Sequence, residues 1–222
     1  MQKKVTRFDY TKSGEKFFPL IREADIILRS DEYIVIHLDG VKFTSRYLKA
    51  VDRSIKKQVF ECLTTAAIEL CNFFKSSRVA YVYGDEASIL LQGDFVKENY
   101  HNRIQKLCSI ASSVLSVNFL NQLIVRGIDG LPTDFKTNCF FAAKAHNIPN
   151  DIVNDYFKWR LMGCKKLIFD KKEQFDKCED WEKFGHLIIF DNDWKVISID
   201  FYNDKLVKTP QSEYFKLKGD NV

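Results

Sequence analysis

The 222 residues predict an α+β fold. Three observations carry that prediction. Apolar, β-branched runs alternate with two long segments whose apolar residues recur every three or four positions. A short polar link joins the second and third runs, as in a hairpin. Gly (9) and Pro (4) are too sparse for a low-complexity or collagenous chain.

The first run, Tyr33-Ile34-Val35-Ile36-His37-Leu38, is almost continuously apolar, the pattern of a strand buried on both faces, and it stops on Asp39-Gly40. From about Asp52 to Lys75, Ile55, Val59, Cys62, Leu63, Ala66, Leu70 and Phe73 trace one side of an amphipathic helix, which must pack on a sheet. Residues 78–83 and 87–91 read as two strands, with Gly84-Asp85-Glu86 as the bend between them. A second helix is predicted from about Phe95 or Tyr100 to Leu123, its stripe formed by Ile104, Leu107, Cys108, Ala111, Val114, Leu115 and Phe119. Residues 126–132 are a turn-rich loop, residues 139–143 a strand, and Pro149 with Asn150 or Asp151 opens a helix running to Leu161. The order is therefore β-α-β-β-α-β-α.

Beyond Gly163 the pattern loosens. Residues 187–190 and 194–199 read as a hairpin about Asp191-Asn192-Asp193, and the tail after Pro210 is expected to be mobile. A boundary near residue 165 divides a core domain, 1–164, from a C-terminal α/β extension, 165–222.

Composition narrows the class. The chain is 45% hydrophobic and 29% charged, a globular profile, and its net charge of +4 permits a nucleic-acid partner without requiring one. No apolar run is expected to span a bilayer, and the N-terminus leads into Phe8-Asp9-Tyr10 rather than an apolar leader, so a soluble, cytoplasmic protein is expected. The six cysteines contain no C-x-x-C pair and the four histidines are scattered, which favours buried free thiols over disulfides or zinc.

The β-α-β-β-α-β order is the ferredoxin-like split β-α-β, of which the palm of nucleotide polymerases and cyclases is a version. In such a sheet the end of the first strand and the tip of the following hairpin are neighbours, so Asp39 and Asp85 are expected to face one another. With the Gly40 carbonyl they would form a hard-oxygen site for Mg²⁺, which completes its shell with water and substrate phosphates. Two such ions about 3.5–4 Å apart can activate an attacking oxygen and neutralise a leaving pyrophosphate. Glu86 adds a third carboxylate beside them. Taken singly, Asp39-Gly40 and Gly84-Asp85-Glu86 are also ordinary turn sequences.

The sequence resembles the tRNA(His) guanylyltransferase family, which adds nucleotides to a tRNA 5′ end in the 3′→5′ direction. Arg7-Phe8-Asp9-Tyr10 is similar to the family's K/R-F-E-Y, residues 34–43 to its V-V-R-I-D-G-R-x-F, and residues 80–88 to its A-Y-G-x-S-D-E-Y-S. Arg103 and Lys106 match R-x-x-K, and residues 155–160 match D-Y-x-x-W-R. The resemblance implies that Asp39, Gly40 and Asp85 bind two Mg²⁺ with Glu86 assisting. It further implies that Val41, Lys42, Phe43 and Thr44 present backbone amides to a triphosphate, that Arg103 and Lys106 supply cations to it, and that the chain assembles as a homo-oligomer, commonly a tetramer in the family. ATP or GTP would be a substrate and a tRNA or other RNA 5′ end the partner.

Where the family continues after W-R with Q-x-D-x-H-x-N-N-L-Y-N, this chain has residues 161–171, without the His and Asn pair. The family's F-D-x-R reads Phe135-Lys136-Thr137-Asn138, and Gly84 stands where the family has serine. These departures point towards the repair-type members that rebuild truncated tRNA 5′ ends. Two other readings stay open: a palm that makes a small cyclic or oligonucleotide, and an inactive palm that binds RNA through Lys165, Lys166, Lys171 and Lys172.

Overall fold

A computed structural model describes residues 26–153, 155–157, 159–160 and 177–197. Arg7-Phe8-Asp9-Tyr10, the boundary near residue 165, the basic stretch at 165–172 and the tail beyond Pro210 lie outside the described residues.

The elements are β1 (Tyr33–Gly40), a π-helical turn (Phe43–Leu48), α1 (Arg53–Phe73), β2 (Val79–Tyr83), β3 (Glu86–Gln92), α2 (Gly93–Tyr100), α3 (Ile104–Val125), β4 (Phe141–Ile148), a 3₁₀ turn (Asn150–Ile152), α4 (Asp180–Phe184), β5 (His186–Asp191) and β6 (Asp193–Ile197). The described residues from 153 to 160 are helical. The strands form one six-stranded sheet in the order β4-β1-β3-β2-β5-β6, antiparallel at every pairing. The first four strands therefore have the split β-α-β arrangement, with β1 and β3 central.

Strand parity sorts the side chains onto two faces. Ile34, Ile36, Leu38, Ala80, Val82, Ala87, Ile89 and Leu91 point to the face covered by α1 and α3, where Phe43, Phe60, Leu63, Leu70, Leu107, Leu115 and Phe119 complete the main core. On the other face Val35, Val79, Tyr81, Leu90, Leu187 and Ile189 meet Val153 and Phe157. Burying one Phe or Leu contributes on the order of 1.5–3 kcal/mol, so the helix-covered face dominates stability.

Several expectations need correction. The predicted second helix is two helices, because His101 and Asn102 both adopt left-handed backbone (φ 55°) and turn the chain between Tyr100 and Ile104. β4 starts at Phe141 and runs to Ile148, longer than predicted, because an edge strand with alternating exposure carries Lys144, His146 and Asn147 and so lacks an apolar run. Phe73 is half exposed, and Phe74 is the buried ring at the end of α1. α3 is long and apolar enough to cross a membrane, contrary to the expectation that no segment is. In this fold it packs along α1 and β4 and buries Leu107, Ala111, Leu115, Phe119 and Leu123, one residue per turn.

The predicted C-terminal hairpin is present. Asp191 pairs with Asp193 around left-handed Asn192, and β5 joins β2 so that the hairpin extends the same sheet. The described cysteines, Cys62, Cys71, Cys108, Cys139 and Cys178, are free thiols. Burial pushes Cys71 up to about 12 and Cys62 to about 11, so neither is a nucleophile.

Candidate active site

β1 and β3 bring the two acidic motifs together. Asp39 is the cross-strand partner of Glu86, and the Gly40 amide donates to the Asp85 backbone carbonyl at 2.9 Å. Tyr83 pairs with Glu86, which leaves Gly84-Asp85 as a two-residue hairpin turn. Gly84 is left-handed (φ 58°), a conformation a serine would adopt only with strain. Asp85 thus sits beside the end of β1, diagonal to Asp39.

The chain after β1 folds back over this point. Gly40 is required by its neighbour, since a Cβ there would lie 2.6 Å from the Phe43 ring. Phe43 is buried against Phe119, Phe135 and Phe141 at centroid distances of 5.6, 5.0 and 5.0 Å. Left-handed Lys42 (φ 62°) makes the bend, and the Thr44 amide donates to the Asp85 carboxylate at 3.2 Å. The Val41 amide donates to the Phe140 carbonyl at 2.9 Å. Two of the four amides singled out in the sequence are therefore engaged within the protein. Phe43 serves as the buried anchor of the turn.

The three carboxylates influence one another. Burial, and then the charge of Asp85, raises the Asp39 carboxyl above its ordinary range, while Lys144 and Arg160 pull it back. Glu86 is raised chiefly by burial and also by Asp39 and Asp85, against the opposing effect of Arg160. Arg160, on the helix over this face, forms an ion pair with Glu86. His37, two residues before Asp39 and on the same face, lies with Nδ1 3.1 Å from the Ser88 hydroxyl. Its pKa is lowered to about 4 by burial and by the neighbouring cations Arg160 and Lys144. Burial raises the Tyr156 phenol, and the neighbouring Ser88 draws it back.

Arg160, His37, Ser88, Tyr156 and Lys144 were not singled out as site residues from sequence. Strand parity could have found His37 and Ser88, which share a face with Asp39 and Glu86. No local signal places Arg160 or Lys144 beside the acids.

Arg103 and Lys106 are not brought to this cluster. Arg103 precedes α3 and bridges Ile27, while the Ile104 amide donates to the Ile26 carbonyl. These contacts place the start of α3 before the beginning of β1. The helix reaches the carboxylate end only near Ser116, which accepts the Phe141 amide, and Phe119. From Lys106 to Phe119 is roughly 20 Å of helix, so within one chain neither cation reaches a phosphate held beside Asp39 and Asp85. Arg53 and Lys57 are paired with Glu182 and Glu179. Trp181 packs on Phe60 and Trp194 on Phe190, whereas Trp159 is 62% exposed.

The donor set suits one class of cation. Among the described residues no group of three Asp, Glu, His or Cys side chains converges to hold an ion by itself. Asp39, Asp85 and the Gly40 carbonyl expected beside them would be hard oxygen donors too few to enclose an ion, a set whose chemistry would suit Mg²⁺ sharing its shell with water and phosphate rather than Zn²⁺.

Residues 10–149, well over half of the chain, match the family described as Thg1, tRNAHis guanylyltransferase. The chain is a member of that family. Its nucleotidyltransferase relatives include solved structures of the same fold. A bacterial tRNA(His) guanylyltransferase (Thg1)-like protein in complex with GTP superposes with a TM-score of 0.73 at 21% identity, covering 93% of this guanylyltransferase-family chain and 100% of that one. The corresponding structure in complex with ATP gives 0.72 at 21% identity, with 91% and 98% covered. The tRNA(His) guanylyltransferase of Saccharomyces cerevisiae gives 0.64 at 17% identity, with 85% and 99% covered. Comparison with curated protein sequences gives no match.

Proposed function

We propose that this chain is a metal-dependent nucleotidyltransferase with a polymerase-type palm, which adds nucleotides to the 5′ end of a tRNA in the 3′→5′ direction. The supporting observation is the meeting of Asp39 and Asp85 at one end of the sheet in a chain of the guanylyltransferase family. The absence of the family's His and Asn pair after Trp159-Arg160 favours repair of truncated 5′ ends over tRNA(His) maturation. The reading includes a cytoplasmic, oligomeric enzyme.

Asp39, the Gly40 carbonyl and Asp85 would hold Mg²⁺. When bound, the metal supplies charge neutralisation on the phosphates and a more reactive attacking oxygen. In the first step a 5′-phosphate oxygen of the RNA attacks the α-phosphorus of ATP, pyrophosphate leaves, and the RNA carries an adenylylated 5′ end. GTP could serve in the same way. In the second step the 3′-hydroxyl of the incoming nucleotide attacks the RNA 5′-phosphorus, AMP leaves, and the hydroxyl proton passes to solvent. The residues 41–44 turn positions phosphate beside the acids, with Thr44 able to exchange its amide bond from Asp85 to a phosphate oxygen. Lys144 and Arg160 limit the negative charge that the incoming phosphates meet. Catalysis of this kind rests on positioning and electrostatics, with no covalent intermediate on the protein.

The test is nucleotide addition to a panel of 5′-truncated tRNAs with ATP, GTP and Mg²⁺, together with an RNA-free control. Addition is expected in the wild type, with a loss of about 10³-fold or more in Asp85→Ala and on chelation. Equal rates in wild type and variant would dispose of the assignment. Product in the RNA-free control alone would favour a small-nucleotide synthase.

A further inference from the structure

We propose that Arg160 is the resident counter-cation of the acidic site. It occupies one carboxylate oxygen of Glu86, leaves Asp39 and Asp85 as the pair open to a divalent cation, and through its charge sets how tightly that cation binds. The inference rests on the metal reading above and adds the residue that governs it.

β1 and the β2–β3 turn place Asp39, Asp85 and Glu86 at one end of the sheet, with Asp39 and Glu86 directly opposite each other. Directly opposed like charges destabilise a strand pair. Lys144 and Arg160 both act on Asp39, but the cation that pairs with one of the acids comes from an element distant in sequence: Arg160 Nη2 pairs with Glu86 Oε2 across 74 positions. Its side chain is only 19% exposed, and its guanidinium lies 5.5 Å from the Trp159 ring centroid. An exposed ion pair would carry little meaning, but this one is shielded at Arg160 and partly covered at Glu86, which is 35% exposed. Asp85 accepts the Thr44 amide, a weak contact at 3.2 Å that a metal can displace. Glu86 is held by a full positive charge, so the three acids are not equivalent.

Arg160 is therefore a positioning residue with a predictable electrostatic signature. A fixed positive charge near the site opposes the entry of a divalent ion, and the Glu86 oxygen that it engages, Oε2, is not offered to that ion. A residue that merely braced the fold would have the opposite signature, because loosening the site on its removal would weaken metal binding.

The experiment is Mn²⁺ binding to the full chain, without nucleotide or RNA, followed by loss of the free-ion EPR signal. Wild type, Arg160→Met, Arg160→Lys and Asp39→Ala are compared. Arg160→Met is expected to bind Mn²⁺ about tenfold more tightly than wild type, the effect of removing one unit charge several ångströms from a divalent ion even in a water-like dielectric. Arg160→Lys keeps the charge and should stay near wild type, and Asp39→Ala should lose binding. If Arg160→Met fails to fold, Arg160→Gln, which can still donate to Glu86, replaces it with the same expectation. Unchanged or weaker binding in the neutral variants, with wild-type binding that depends on Asp39, overturns this inference alone. No Mn²⁺ binding in the wild type overturns the metal reading beneath it.

Discussion

The two faces of the sheet are built from the same strands and do opposite work. On the helix side of β1, Ile34, Ile36 and Leu38 are fully buried, and α1 and α3 seal them with apolar and aromatic side chains. On the other side, Val35 is followed by His37 and Asp39, and β3 contributes Glu86 and Ser88. The first face accumulates burial energy. The second uses part of that energy to hold like-charged carboxylates together beside a histidine kept neutral by burial and neighbouring cations. Alternation of side chains along a strand lets one segment anchor the fold and present chemistry within a few residues.

That contrast predicts separable effects. The largest expected effect is on activity from the polar face: Asp39→Asn should lower nucleotide addition by about 10³-fold or more while leaving the thermal midpoint equal or higher, because it relieves repulsion from Asp85. A drop in both would mean that Asp39 is structural. The next is on stability from the helix-packed aromatic cluster: Phe43→Ala should cost about 3–5 kcal/mol in urea unfolding, since the ring is buried against three others. Because Phe43 also anchors the turn that bears Thr44, its activity should fall at temperatures where the variant is still folded.

The smallest effect concerns pH and the helix face. His186, 2.9 Å from the Thr64 hydroxyl and packed on Phe60, has its pKa lowered by burial. The unfolded chain then binds more protons than the folded one below the ordinary histidine range. The stabilising contribution is therefore complete above about pH 6.5 and declines as pH falls. Wild type should lose more stability between pH 7 and 5 than His186→Gln. Parallel curves would remove His186 from the account.

How much was legible beforehand differs element by element. The β1 and β2–β3 motifs could be read because a buried strand ending in a carboxylate and a hairpin bearing two more are local patterns, and the order of elements made them neighbours. The length of β4 could not be read, because an edge strand with one exposed side has no continuous apolar run. The break at His101-Asn102 was hidden as well, since His and Asn, although enriched in left-handed backbone among non-glycine residues, also occur within helices. Arg103 and Lys106 looked like partners for phosphate because they are one turn apart on a helix; only the placement of α3 shows which end of the sheet they occupy.

The sequence by itself determined the succession of strands and helices and which acids lie at their ends, because periodicity and turn chemistry act over a few residues. The tertiary structure alone decided which charges share a site. Arg160 and Lys144 reach the acids from remote elements, and the cations at the start of α3 are carried away from them. Such contacts depend on packing and register across the whole sheet, which no local pattern encodes.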